Sequence, residues 1–218
     1  MKNVRLFYKK GGPLRFVSHL DMNRFMARIL RLSGVPIWYT EGFNRHPYIT
    51  FALPLSLGFF SEYEIMDFRI AQDDYSVSEA KKQIADVCPK GIEIIDLKEP
   101  VNKAGKIAFA EFEISVSPFG QIGEESLKEF LGRDEIIISK KSKKGVVSDI
   151  NIAPKIKKYE CHSKNDKFYI NLYLPAGGSD NLNPKSVMDE YLKFCDIDNA
   201  SYTVTRKKLF LANGEVFV

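Results

Sequence analysis

Two of the chain's three histidines, His19 and His46, fall within the short span from Arg15 to Gly58. Two imidazoles within reach of one ribose phosphate can divide the proton transfers of RNA cleavage, one as base and one as acid, with no metal. Asn44 stands beside His46 in a Gly-Phe-Asn-Arg-His-Pro loop, and Arg15 precedes His19, so folding the loop over the helix start would gather all four. The same residues have a plainer use. Ser18, His19 and Asp21 have the spacing of a helix cap, and His46 can pack against Phe43 or Tyr48. Spacing alone favours the plainer use.

Arginine supplies the second chemistry. At about 100° per residue, Arg24, Arg28 and Arg31 fall on one side of a helix, opposite Met22, Phe25, Met26, Ile29 and Leu32. Guanidinium groups stay charged and bind phosphate oxygens in pairs, so such a ridge suits nucleic acid. Arg15 and Arg45 would extend it, with Asn44 and His46 recognising a group at the same place. Phe16, Trp38, Tyr39 and Phe43 could stack on unpaired bases if exposed. The first 50 residues carry nine basic side chains against two acidic ones, a net of +7. The remaining 23 basic and 26 acidic residues give −3, so the overall +4 hides a polarised chain that attracts phosphate-rich partners. A further basic run, Lys140, Lys141, Lys143 and Lys144, reads as a solvated hairpin tip.

Other chemistries find less support. His19, Asp21 and His46 are three possible metal donors without a metal-site spacing, and no metal is expected. Cys88, Cys161 and Cys195 are odd in number and scattered, which suits reduced thiols in the cytoplasm. Neither Ser18 nor Cys88 has an activating neighbour in sequence. No apolar run is long enough for a membrane span, and the N-terminus lacks the apolar centre of a secretion signal.

The elements that must position these groups read as an α+β protein. With 44% apolar residues in 218, the chain can bury a sizeable core. Residues 2–8 predict a strand, 14–17 extended chain, 19–33 a helix closed by Gly34 and Pro36, then strands at 37–40 and 48–53 around the loop. A strand at 62–71, a helix at 76–87 and a strand at 92–97 complete a βαββαβ order. The second part predicts a strand at 107–116, a helix at 124–131, a hairpin of 135–140 with 144–149, a strand at 168–174, a helix from 183 to 195 and a strand at 202–211. The expectation is two tandem ferredoxin-like (βαββαβ) units with antiparallel sheets, residues 1–100 and 101–218.

The runs Leu14-Arg15-Phe16-Val17-Ser18-His19-Leu20-Asp21, Gly42-Phe43-Asn44-Arg45-His46-Pro47 and Phe51-Ala52-Leu53-Pro54-Leu55-Ser56-Leu57-Gly58 resemble the signature of the radical-SAM-linked bacterial domain of unknown function (DUF2344 type) in its separate-chain form. The family loop usually carries proline where Arg45 stands. The resemblance implies an accessory protein beside a radical SAM enzyme. This chain lacks the three-cysteine cluster motif, so any iron–sulfur cluster and S-adenosylmethionine would belong to that partner, with no cofactor here. Two ferredoxin-like units with a basic face are also similar in architecture to the CRISPR repeat-processing endoribonucleases, which cleave RNA without metal. The expected function is therefore an accessory protein that binds structured RNA, tRNA or rRNA, through a basic N-terminal face. The alternatives are a metal-independent endoribonuclease using His19 and His46, and a protein-docking module without nucleic acid.

Overall fold

The structure, a computed structural model, describes residues 1–117, 122–141, 147–178, 180–198 and 200–218. It is a mixed α+β fold with largely antiparallel sheet and, among the described residues, four α-helices. The chain divides into two compact units, residues 1–107 with 215–218, and residues 108–214.

Unit 1 contains β1 (Lys2–Lys10), α1 (His19–Leu32), β2 (Ile49–Phe51), β3 (Phe60–Ile70), α2 (Val77–Asp86) and β4 (Ile92–Lys98). Its strands lie in the order β4-β1-β3 with β2 on the far side of β3, every pair antiparallel. Alternation along β1 decides the two faces. Val4, Leu6 and Tyr8 join Met22, Met26, Leu30, Met66, Phe68, Ala80 and Ile84 in one apolar cluster, which places both helices on that side. Each fully buried aliphatic side chain there contributes roughly 1.5–3 kcal/mol. Arg5 and Phe7 point the other way and are equally buried; Phe217 and Val218 close over Arg5, while the Tyr63 ring and the Lys98 side chain meet Phe7.

Helix α1 starts where its cap dictates. The Ser18 side-chain oxygen accepts from the Asp21 N–H at 3.2 Å, and its hydroxyl donates to the Asp21 carboxylate at 2.8 Å. Gly34 takes a φ of +76°, a left-handed conformation that glycine adopts without penalty, and the helix ends before it. Removing the cap with Ser18→Ala is expected to lower stability by about 1 kcal/mol, read from chemical denaturation, with the rest of the fold unchanged.

Residues 12–16 form a short 3-10 turn and not extended chain, because Pro13 sits at its first turn where a missing N–H costs nothing. The strands expected at 37–40 and 48–53 shrink to Ile49–Phe51, the rest contributing only isolated bridges, Ile37 with Ile70 and Tyr39 with Pro47. Pro36 and Pro47 lack the N–H that a longer ladder needs.

Unit 2 contains β5 (Ile107–Val116), α3 (Glu124–Leu131), β6 (Ile137–Lys141), β7 (Val147–Asn151), β8 (Lys158–Lys164), β9 (Lys167–Pro175), α4 (Pro184–Phe194) and β10 (Tyr202–Leu211). Its sheet runs β10-β5-β9-β8. Phe112, Ile114, Phe168, Ile170, Leu172 and Leu174 are buried on one side, as are Leu127, Phe130, Val187 and Met188 of the helices. The Phe130 ring meets those of Tyr191 and Phe194 at 5.4 and 5.7 Å, and the Tyr191 hydroxyl, with Ser126 at 2.8 Å, also reaches the Gly123 carbonyl at 3.1 Å.

The expected hairpin of 135–149 does not enter this sheet. Among the described residues β6 and β7 pair only with each other, and the edge position belongs to β8. β8 has the sequence Lys-Tyr-Glu-Cys-His-Ser-Lys, whose few apolar residues suit an edge strand and hide it from a hydrophobicity reading. Lys143 and Lys144 of the basic run lie outside the described residues.

Candidate functional site

The candidate residues fall into two groups joined by α1. At the start of the helix, the Arg15 guanidinium lies between two rings, 4.5 Å from Phe16 and 4.7 Å from Phe60. The Gly58 N–H donates to the Arg15 carbonyl at 2.8 Å and draws the 52–58 connector alongside. His19 is exposed and meets the Phe51 ring edge-on at 5.1 Å.

His46 belongs to the other group. Its backbone N–H and ring Nδ1 both face the Thr40 hydroxyl at 3.3 Å, the ring nitrogen also lies 3.0 Å from the Asn44 carbonyl, and the Thr40 N–H donates to the His46 carbonyl at 2.9 Å. Those bonds close the loop on itself and leave Phe43, Asn44 and Arg45 exposed. Neither Phe43 nor Tyr48 packs on His46 as expected. Phe43 stands fully in solvent at the tip, and Tyr48 meets Trp38 at 6.0 Å.

Strand geometry decides whether the two imidazoles converge. Phe51 pairs with Met66, Ile49 with Phe68 and Ile37 with Ile70, so the chain climbs β3 toward its end as it runs back from Phe51 to the loop. His46 precedes Phe51 by five largely extended residues, about 16 Å at 3.3 Å each. The rings therefore sit at opposite ends and do not hydrogen-bond to each other. The expected gathering of Arg15, His19, Asn44 and His46 is not formed, and the acid–base pair at one phosphate has no geometry here.

What the fold does align is the arginine ridge. Met22, Met26, Ile29 and Leu30 are buried while Arg24, Arg28 and Arg31 are exposed, on a helix about 21 Å long at 1.5 Å per residue; Leu32, expected on the apolar face, is exposed instead, because it is the last residue of the helix. Asp21 holds Arg24 at 3.2 Å. Among the described residues Arg28 and Arg31 have no acidic partner and stay available to an outside anion. The ridge connects the Arg15 and His19 end with the loop end, because only Ser33 to Pro36 separate the helix from the bridge at Ile37. It is a stripe and not a single concave patch.

Sequence reasoning missed Arg69. Its guanidinium lies 4.3 Å from the Tyr48 ring and 5.1 Å from Trp38, and its Nε donates to the Asn3 side chain at 3.0 Å, which fixes the base of the loop to the sheet. Its outward place between buried Phe68 and Ile70 was the available signal. Among the described residues no three His, Cys, Asp or Glu side chains converge as metal donors. Burial pushes the Cys88 thiol up to about 11, so it stays protonated at neutral pH and is a poor nucleophile.

Comparison with known proteins extends this picture. The chain is similar to part of the crystal structure of a Cbf5–Nop10–Gar1 complex, with a TM-score of 0.53, 11% identity, and coverage of 95% of this chain and 48% of that one. It thus spans about half the length of that relative, and the likeness is one of fold. A structure assigned as a glycine cleavage system transcriptional repressor matches 93% of this chain and 95% of its own at 8% identity, but its TM-score of 0.26 carries no argument. No curated protein matches the sequence. Among the described residues no helix is long and apolar enough to cross a membrane. The profile of a bacterial family matches residues 3–184, which include every candidate residue discussed above, and the chain belongs to that family, described as an uncharacterized protein conserved in bacteria (DUF2344).

Proposed function

We propose that this protein is an accessory factor that partners a radical SAM enzyme and binds structured RNA, tRNA or rRNA, through the basic face of unit 1, on a scaffold of two tandem ferredoxin-like units. One observation carries the RNA reading: Arg28 and Arg31 project from a rigid helix beside Arg24, with no acidic partner of their own. Phosphate is the anion whose spacing and charge such a ridge fits. Arg45 and Asn44 at the exposed loop extend the contact, and His46 shapes that loop. Arg15, stacked between rings, positions Phe16 more than it binds phosphate. The radical SAM partner rests on the sequence signature, and the cluster and S-adenosylmethionine belong to that partner in this reading.

Binding of a labelled RNA hairpin, followed by anisotropy across a salt series, tests the reading. The logarithm of affinity should fall linearly with the logarithm of salt, because phosphate contacts release counterions. Affinity indifferent to salt would rule out the ridge as the contact.

A protein-docking reading has its own observation. Phe16, Leu20 and Leu57 are 63%, 62% and 63% exposed near the start of α1, more apolar surface than a lone solvated residue presents. Purifying the protein with a radical SAM enzyme of the proposed kind, with and without nuclease, separates the two. A complex that survives nuclease favours docking, and one that dissolves favours RNA as the bridge.

A further inference from the structure

In unit 2 the helices cover one side of the β10-β5-β9-β8 sheet, and the other side carries a row of rings. Phe109 and Tyr173 stack at 4.9 Å with planes 21° apart, and the Phe210 ring lies 5.1 Å from Tyr173. Farther along, His162 stacks on Tyr169 at 5.0 Å and 7°. The alternation of β9 places Tyr169, Asn171 and Tyr173 on this side while Phe168, Ile170 and Leu172 enter the core.

A groove of about 350 Å³ crosses all four strands here, lined by Phe210 of β10, Glu111 of β5, Asn171 and Tyr173 of β9, and Lys158 and Glu160 of β8. Register explains the lining: Glu111, Tyr173 and Lys158 form one cross-strand row, and Asn171 faces Glu160 in the next. Lys158 pairs with Glu160 at 2.9 Å. Among the described residues the Tyr173 hydroxyl, the Asn171 amide and the Glu111 carboxylate make no hydrogen bond, although the Lys158 charge acts on Glu111 from across the strands, and the Lys157 ammonium at the rim has no acidic partner.

We infer that this groove binds one unpaired, amino-bearing base, adenine or cytosine, of single-stranded RNA. The volume is that of a small-molecule site. Tyr173 and Phe210 offer π-faces on which a base stacks, as bases do on aromatic-bearing four-stranded sheets. Asn171 can donate and accept along an adenine edge, and Glu111 can accept from an exocyclic amino group of adenine or cytosine. Lys157 supplies a cation for the adjoining phosphate. An apolar peptide segment in the groove would instead bury three hydrogen-bonding groups unpaired. A duplex cannot present a base face to the rings.

The inference rests on the reading of the protein as RNA-binding, and the test separates the two. Labelled hexaadenylate and hexauridylate are titrated by anisotropy into the whole chain and into Tyr173→Ala, Tyr173→Phe and Arg28→Gln/Arg31→Gln. Hexaadenylate should bind at least about fivefold more tightly than hexauridylate to the unaltered protein. Tyr173→Ala should weaken hexaadenylate binding about ten- to hundredfold without changing the salt slope, and Tyr173→Phe, which keeps the ring, should stay within about threefold. Equal affinity for the two hexamers overturns the inference, and that comparison needs no variant to fold. Unchanged binding in Tyr173→Ala beside a loss in the arginine variant overturns it too, while leaving the RNA reading intact. No binding of either hexamer or of a hairpin removes both.

Discussion

Arg5→Ala is expected to lower stability by about 3–5 kcal/mol, the usual result of removing one partner from a buried ion pair. Arg5 is 1% exposed at its side chain and grips Asp67 with two parallel bonds of 2.7 Å. Its remaining amino group donates to the Val218 main-chain oxygen at 2.9 Å, and its plane lies 4.6 Å from the Phe217 ring. Alanine would leave Asp67, itself only 25% exposed, without its counter-charge and free the C-terminal segment from the sheet. The bonds that would remain, from the Tyr63 hydroxyl to the Phe217 carbonyl at 3.1 Å and from the Asn102 N–H to the Val218 carbonyl at 3.4 Å, are weaker tethers than the charged one. Denaturant titration should show the loss, and amide exchange at residues 215–218 should rise by more than it does elsewhere. Arg5→Leu with Asp67→Leu should recover much of the stability, since it removes both charges and fills the space. A loss under about 1 kcal/mol with unchanged exchange would show that the segment is held by something else.

That arrangement marks a limit of what the sequence reveals. Phe217 reads as part of the second unit when the chain is cut by length, yet it packs on a residue of the first strand. No local period encodes a contact between residues 5 and 217. Where the signal is local, the reading holds: Ser18 and Asp21 announce the start of α1, Gly34 its end, and the 3.6-residue period places its arginines outside. β8 escaped because an edge strand buries little and needs few apolar residues, and the 135–149 hairpin seemed to supply the middle strands only because its own residues favour strand.

The candidate site divides along the same line. Exposure of Arg24, Arg28 and Arg31 follows from periodicity and was legible. Convergence of His19 with His46 depends on how far an extended chain travels between Phe51 and the loop, and on Thr40 claiming His46 for itself. The aromatic side of the second sheet was hidden for a related reason. Phe109, Tyr173 and Phe210 are far apart in sequence and meet only through cross-strand register.

Arg28→Gln with Arg31→Gln separates a phosphate-binding ridge from a merely solvated one. Glutamine has nearly the helix propensity of arginine, and neither arginine supports the fold, so stability should stay within about 0.5 kcal/mol. Each lost phosphate contact reduces the salt slope by about 0.7 to 0.9, so affinity for an RNA hairpin should fall roughly 25- to 60-fold at about 0.1 M salt and converge with the unaltered protein near 1 M. Arg24→Gln is the internal control. Asp21 already neutralises much of that charge at 3.2 Å, so its removal should cost less than either neighbour. Equal losses at every salt concentration would mean that the variants act through shape and not charge. No loss at all would assign the ridge to solvent, and the RNA contact would then have to lie outside α1.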